Sequence, residues 1–343
     1  MRIRIGTRGS PLALIQTRMV TDAIACYHAD TQADVLIVRT EGDRNLQDSL
    51  VVLGGRGVFV REIEERLLAG DFDLAVHSLK DLPTTQPEGL VLAAILARGD
   101  VRDALVSHGG QILADLPPGA VVGSSSQRRS AQVLALRPDL VVQSIRGNVE
   151  TRLRKLDGGQ YDAIVLAAAG LERMGLAGRI TESFSMAQML PAVGQGALAV
   201  ECRADDTRTV ALLAPLDDAQ TRAAVSAERA FLRGLGGGCT LPIGAYAEVE
   251  GSRDDIGIAR ASGDPLPHAA ARQRSSRQAG DDAGEWLTLH GLIAQPDGQR
   301  TVRGMLSGAV ADAETIGVQL AERLLAEGGR TLMEALHAAA SPA

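Results

Sequence analysis

Twice along this chain a short apolar strand runs into a Gly/Ser turn bearing arginine, and the turn opens a capped helix. The first copy is a strand at 3–6, the turn Thr7-Arg8-Gly9-Ser10, and Pro11 at the first helical position. Serine before proline is an N-cap signal, because its hydroxyl accepts from a free backbone N–H and proline has none to lose. The second copy is a strand at 120–122, the turn Gly123-Ser124-Ser125-Ser126-Gln127-Arg128-Arg129, and a helix to about 135. Further strands are expected at 35–38, 74–77, 141–145 and 161–168. Helices are expected at 58–69 and after Asn148. Strands alternating with helices imply α/β units, here two of them. Their arginines and helix N-termini would meet in a cleft between the two.

A different pattern follows. A strand is expected at 197–201, after the loop Pro191-Ala192-Val193-Gly194-Gln195-Gly196, and a helix at 219–232. Strands then fall near 245–249, 286–294 and 300–306, and helices at 311–326 and 331–338. This reads as a small α+β C-terminal domain with an antiparallel sheet. The expected division is 1–98 with 197–216 for the first lobe, 99–196 for the second, and 217–343 for the C-terminal domain. Residues 251–284 are rich in Ser, Arg, Asp, Gly and Pro and lack apolar periodicity, so an inserted loop is expected there.

Composition narrows the function. Aromatic residues are only 2% of the 343, so the cores must be aliphatic and stacking platforms for single-stranded nucleic acid are disfavoured. The formal charge of −7 gives no global attraction to DNA or to an anionic membrane. The three cysteines, Cys26, Cys202 and Cys239, are far apart, and no His or Cys spacing suggests a metal. A strand starting at residue 2 leaves no room for a signal peptide, and no apolar run is long enough to span a bilayer. The reading is a cytoplasmic protein.

Against that acidic background the two arginine turns matter. Helix N-termini attract anions, and arginine adds a planar two-pronged donor for carboxylate or phosphate. Each turn alone is also compatible with ordinary capping. Arg146, Arg152 and Arg173 fall near further strand ends and helix starts, and together they suggest a ligand with several negative charges. His77-Ser78-Leu79-Lys80-Asp81 closes an apolar strand. Asp81 there has the chemistry of a general acid or of a carboxylate facing a developing cation; a surface Lys–Asp pair is the other reading. Cys239 follows glycines in a loop that presents it, whereas Cys26 falls on a helix and Cys202 just after a strand.

These segments, in this order, resemble the porphobilinogen deaminase (hydroxymethylbilane synthase) family. The resemblance rests on Ile5–Ala13, Gly54–Glu62, Ala75–Pro83, Arg146–Leu153, Pro191–Ala197 and Gly237–Gly244. It covers nearly the whole chain outside 251–284. Arg56, where lysine is frequent, and Gln127, where leucine is common, depart from the pattern.

The resemblance implies two periplasmic-binding-protein-like α/β lobes and a third domain carrying the cysteine loop. It implies head-to-tail condensation of four porphobilinogen molecules into hydroxymethylbilane with loss of ammonia. It also implies a dipyrromethane cofactor attached covalently at Cys239. Asp81 and Lys80 would be catalytic. Ser126, Arg128, Arg129 and Arg146, with Lys80 and Asp81, would bind the cofactor. Arg8, Ser10, Phe59, Arg146, Arg152, Arg173 and Gln195 would bind substrate. No metal, nucleic acid or membrane partner is expected, and the enzyme would act as a monomer. Two rivals stand beside it: a non-catalytic two-lobed anion-binding protein, and an enzyme whose free Cys239 thiolate is the nucleophile.

Overall fold

The computed structural model describes residues 1–38, 60–237, 241–250 and 285–340. Phe59, the 54–57 glycine segment, Cys239 and the expected loop at 251–284 lie outside them.

The first sheet contains β1 (Arg2–Arg8), β2 (Gln32–Val38), β3 (Leu74–Ser78), β4 (Leu90–Ile95) and β10 (Leu198–Arg203), in the order β2-β1-β3-β10-β4. β1 runs parallel to β2 and β3, whereas β10 is antiparallel to β3 and β4. The second sheet contains β5 (Asp103–Ser107), β6 (Val121–Gly123), β7 (Val141–Gln143), β8 (Ala163–Ala167) and β9 (Glu182–Ser183), in the order β7-β6-β8-β5-β9. β6 is parallel to β7 and β8, and β5 is antiparallel to β8 and β9. The two sheets therefore share one topology. In each, an antiparallel strand is inserted by a chain that has just crossed from the other lobe, through 96–102 in one direction and 184–197 in the other.

Helices cover these sheets because their apolar faces match. On α1 (Pro11–Tyr27), Val20 and Ile24 pack against Ile3, Ile5, Leu74 and Val200. On α2 (Arg61–Leu68), Ile63 and Leu67 pack against Phe72 and Ala75 on the opposite face. In the second lobe, α3 (Gln127–Leu136), α4 (Val149–Asp157) and α5 (Ala168–Arg173) follow β6, β7 and β8. The strands β4, β5 and β9 and the helices α5 and α6 (Thr207–Leu213) were not among the expected elements. Cys202, expected just after a strand, is inside β10 and buried, and burial pushes its thiol up to about 11.

The C-terminal sheet is β11 (Ile243–Glu250), β12 (Trp286–Ala294) and β13 (Thr301–Ala309), antiparallel throughout. Against it lie α7 (Ala219–Gly234) and α8 (Ala313–Leu324). Gly317 lets these helices touch, since a Cβ there would collide with the Ala227 carbonyl. The expected closing helices are α8 and α9 (Arg330–Ala340), joined at Gly328, whose φ of 110° suits glycine.

Candidate active site

The site forms where the parallel strands of both lobes end. At β1, Arg8 leads into Ser10, whose Oγ accepts from the Ala13 amide at 3.3 Å and caps α1. At β6, Ser126 caps α3 by accepting from the Arg129 amide at 3.4 Å. Beyond β7, Arg146 precedes Asn148, which caps α4 by accepting from the Thr151 amide at 2.9 Å. β3 ends in a single tight turn, Leu79–Asp81, that projects Lys80 and Asp81. The first three turns are strand ends whose next helix needs a cap, which is why the sequence marks them so clearly.

A cleft of about 1110 Å³ joins these turns and is lined by Arg8, Ser10, Lys80, Asp81, Arg129, Arg146, Arg152 and Arg173. A second cavity of about 470 Å³ adjoins it and shares Lys80, Asp81, Arg129 and Arg152. Ser126, Arg128, Gln195, Gly237 and Leu241 also line this cavity. It thus reaches the C-terminal domain, at the described residues on either side of Cys239.

The arginines do not all face the ligand space in the same way. Arg128 and Arg129 are buried and grip the buried Asp103: Arg128 Nη1 lies 2.6 Å from Oδ2, and Arg129 Nη2 lies 2.7 Å from Oδ1. Burial alone would raise Asp103, but the two guanidinium groups outweigh it and hold the carboxyl well below its ordinary range. Arg128 Nε remains buried with no hydrogen-bond partner among the described residues. Arg152 Nε donates to the Gly147 carbonyl at 2.8 Å. Burial, then Arg129 and Arg146, bring Arg152 down to about 10. Arg173 donates to the Gly196 carbonyl at 2.5 Å, and burial lowers it.

Gln195 is fully buried and uses both ends of its amide inside the protein. Its Nε2 donates to the Val101 carbonyl at 2.8 Å and to Asp103 Oδ1 at 3.0 Å; its Oε1 accepts from Lys80 Nζ at 3.2 Å. Burial, with Arg129 nearby, lowers Lys80 to about 8. Such a lysine loses its charge, and with it its hold on a carboxylate, as pH rises through that value. Affinity for a carboxylate ligand is therefore expected to weaken above about pH 8 in the wild type. In Lys80→Gln it should be weaker at neutral pH and lack that alkaline step. A pH series of isothermal titrations checks this.

Two contributors, Asp103 and Arg98, carried no marked sequence signal. Asp103 sits in an ordinary charged stretch. Arg98 lies in the crossover and donates from Nη1 and Nη2 to the two oxygens of Glu228, at 2.6 and 3.1 Å, and from Nε to the Gln195 carbonyl at 2.7 Å. Glu228 also accepts from the amides of Gly194 at 2.7 Å and Ala247 at 2.9 Å. One buried ion pair thus fastens the crossover, the 191–196 loop and the C-terminal domain. A signal did exist for Glu228, a charge on the apolar stripe formed by Ala224, Ala227 and Phe231 of α7. Glu228→Ala leaves Arg98 buried without its counter-ion, so a loss of about 3–5 kcal/mol is expected in chemical denaturation.

Among the described residues no His, Cys, Asp and Glu group could hold a metal, and no helix is long and apolar enough to cross a membrane. The family model described as porphobilinogen deaminase, dipyromethane cofactor binding domain, matches residues 3–211. The model of the C-terminal domain of the same enzyme matches 222–261. The chain belongs to the porphobilinogen deaminase family. A porphobilinogen deaminase of Roseiflexus sp. is 49% identical over 96% of this chain and 97% of its own. Those of Brevibacillus brevis and Syntrophotalea carbinolica are each 46% identical, over 97% and 99% of this chain and 97% and 98% of their own. Among solved structures, a periplasmic binding protein of Salmonella typhimurium aligns over 63% of this chain and 91% of its own, with 10% identity and a TM-score of 0.36.

Proposed function

We propose that this chain works as its family does, condensing four porphobilinogen molecules head to tail into hydroxymethylbilane with release of ammonia, as a hydroxymethylbilane synthase of tetrapyrrole biosynthesis. The observation that carries the reading is the arginine-lined cleft with Lys80 and Asp81 at its centre, in a chain nearly half identical to named deaminases along its whole length. Porphobilinogen bears an acetate and a propionate, so a growing chain accumulates carboxylates. That demands local cations in a protein that is acidic overall. Each charge-assisted hydrogen bond contributes about 1.5–3 kcal/mol.

The residues present fit a dipyrromethane bearing carboxylates. Among the described residues Arg128 Nε is a buried donor without an acceptor, in a cavity also lined by Ser126, Arg129 and Lys80. Arg146 would join them from the adjoining cleft. The attachment point is the Cys239 thiol through a thioether, between the described residues Gly237 and Leu241. When bound, the group supplies the nucleophilic pyrrole carbon on which the product is built.

The chain's own residues supply the rest. Arg8, Ser10, Arg146, Arg152 and Arg173 seat substrate carboxylates in the large cleft. Gln195 acts one step back, holding Lys80 and Asp103 so that Arg128 and Arg129 keep their orientation. Loss of ammonia from porphobilinogen leaves a methylene-pyrrolenine cation, and Asp81 beside its pyrrole nitrogen stabilises the charge as it forms, which lowers the barrier. Asp81 also takes up the proton released when the new bond forms. Lys80 holds a carboxylate near Asp81. Phe59 is proposed to cover the substrate.

The test is direct. Purified protein supplied with porphobilinogen should release one ammonia per monomer consumed and yield hydroxymethylbilane. Tight binding of porphobilinogen with no ammonia release would instead support a two-lobed binding protein.

A further inference from the structure

Beneath the first sheet lies a group of ionisable side chains that the reaction does not use. Strand alternation puts His77 of β3 and Glu201 of β10 on the face covered by α2. Glu64 projects from α2 into the same place. Relative exposures are 7% for Glu64, 6% for His77 and 0% for Glu201. His77 Nε2 stands 3.4 Å from Glu201 Oε2, an ion-pair distance without the alignment of a hydrogen bond. Glu64 Oε1, both oxygens of Glu201 and His77 Nε2 are all buried without a hydrogen-bond partner among the described residues.

Buried polar atoms in native proteins are nearly always paired, and two carboxylates sharing an apolar pocket cannot both stay charged cheaply. A proton placed on one carboxylate turns an acceptor into a donor and removes the repulsion in one step. We propose that Glu64 in its acid form, with Glu201 and His77, makes a buried proton-sharing brace that seats α2 on the sheet and positions the end of β3 carrying Lys80 and Asp81. The strand continues from His77 through Ser78 into that turn, and Leu79 donates its amide to the Ala197 carbonyl at 3.0 Å at the head of β10. Both strands that flank the catalytic turn are therefore tied to the brace.

Among the described residues, the charged groups around it do not neutralise the cluster. On α2, Arg61 pairs with Glu65 on the exposed side and Arg66 pairs with Asp71, while Glu62 is half-buried. On β1, Arg4 pairs with Asp73, and Arg8 faces the cleft. On β10, Arg203 pairs with Asp206. Burial, then the Glu201 charge, pushes Glu64 up to about 7; His77 opposes the shift and Glu65 adds to it.

The sign follows from linkage. A carboxyl raised from about 4.5 to about 7 binds more protons folded than unfolded across that window. Its stabilising contribution is complete below about pH 4.5 and is lost as pH rises through about 7. Glutamine mimics the acid form and cannot ionise. The Tm advantage of Glu64→Gln over the wild type, both carrying their native cofactor load, should therefore be smallest at pH 5 and largest at pH 8. Infrared difference spectra should show a protonated-carboxyl band in the wild type at pH 6 that fades by pH 8 and is absent from Glu64→Gln. Parallel Tm curves from pH 5 to pH 8, or no such band, would overturn the proton. Should Glu64→Gln fail to fold, Glu201→Gln replaces it. Removing the neighbouring charge should move the loss of the wild-type band to lower pH, and an unmoved band would overturn the shared site.

The positioning half rests on Asp81 being the reactive carboxylate, whereas the proton half does not, so the two fail separately. At pH 8, Glu64→Gln should turn over porphobilinogen at least as fast as the wild type with KM unchanged. Glu64→Ala should lose about tenfold in kcat with KM retained, since small misplacements of a catalytic group are costly. Equal kcat in the two variants would overturn the positioning role.

Discussion

Cys239→Ser is expected to give a protein with the mass of its sequence alone and no measurable turnover of porphobilinogen. The protein as purified should be heavier than its 35.9 kDa chain and give a pyrrole colour with acidic aldehyde reagent. Both signals should survive Cys26→Ser and Cys202→Ser. The comparison is clean because the alternatives differ in kind. Cys26 is exposed on α1, so a nonspecific adduct would favour it, whereas Cys202 is sealed inside β10 with its thiol pushed up to about 11, which makes it a poor nucleophile. The described residues flanking Cys239 line the smaller cavity with Lys80, Asp81, Arg128 and Arg129, so a group anchored in that loop has cationic partners within reach. Intact mass spectrometry of the three variants decides it. Active enzyme whose Cys239 is freely alkylated would instead favour a thiolate nucleophile.

Asp81→Asn is expected to cut turnover by at least ~10²-fold, the scale of one well-placed electrostatic or acid–base group. The side chain keeps its shape and loses its charge, so folding and porphobilinogen binding should persist. Asp81 lies on the wall shared by the two cavities, among the arginines that line them. It is the acidic side chain lining either cavity among the described residues, so no neighbouring carboxylate can replace it there. The measurement is single-turnover ammonia release alongside equilibrium binding. Turnover near the wild-type rate would remove Asp81 from the chemistry.

Much of the site was legible in the sequence because of where it lies. Arg8 with Ser10, Arg128 and Arg129 after Ser126, and Arg146 before Asn148 all sit where a strand hands over to a capped helix. That junction has a local signature, since the cap must be within three residues of the amide it serves. Lys80 and Asp81 were visible for a related reason, two charges closing an apolar run. The C-terminal sheet was visible through apolar runs of strand length broken by turns.

The remaining features depended on contacts between distant segments. The strands β4 and β5 were missed because the charged crossover joining them breaks the apolar pattern, although Gly89 before β4 and Gly109-Gly110 after β5 are turn residues. Asp103 gains its importance only when α3 folds over β5 and brings Arg128 and Arg129 to it, 25 and 26 residues away. Arg98 and Glu228 are 130 residues apart. Gln195 was expected to touch substrate, yet its amide is occupied within the protein by Lys80, Val101 and Asp103.

The sequence by itself determined the kinds of element, the capped turns and the family, because helix caps, apolar periodicity and motif order are local properties of the chain. Only the tertiary structure decided which charges are spent on the protein and which line the cleft. The energy of a buried charge depends on the partners and the solvent that folding leaves around it, and no local pattern records that. Arg128 and Arg146 read alike in sequence; burial against Asp103 ties the first into the framework, whereas the second lines the open cleft.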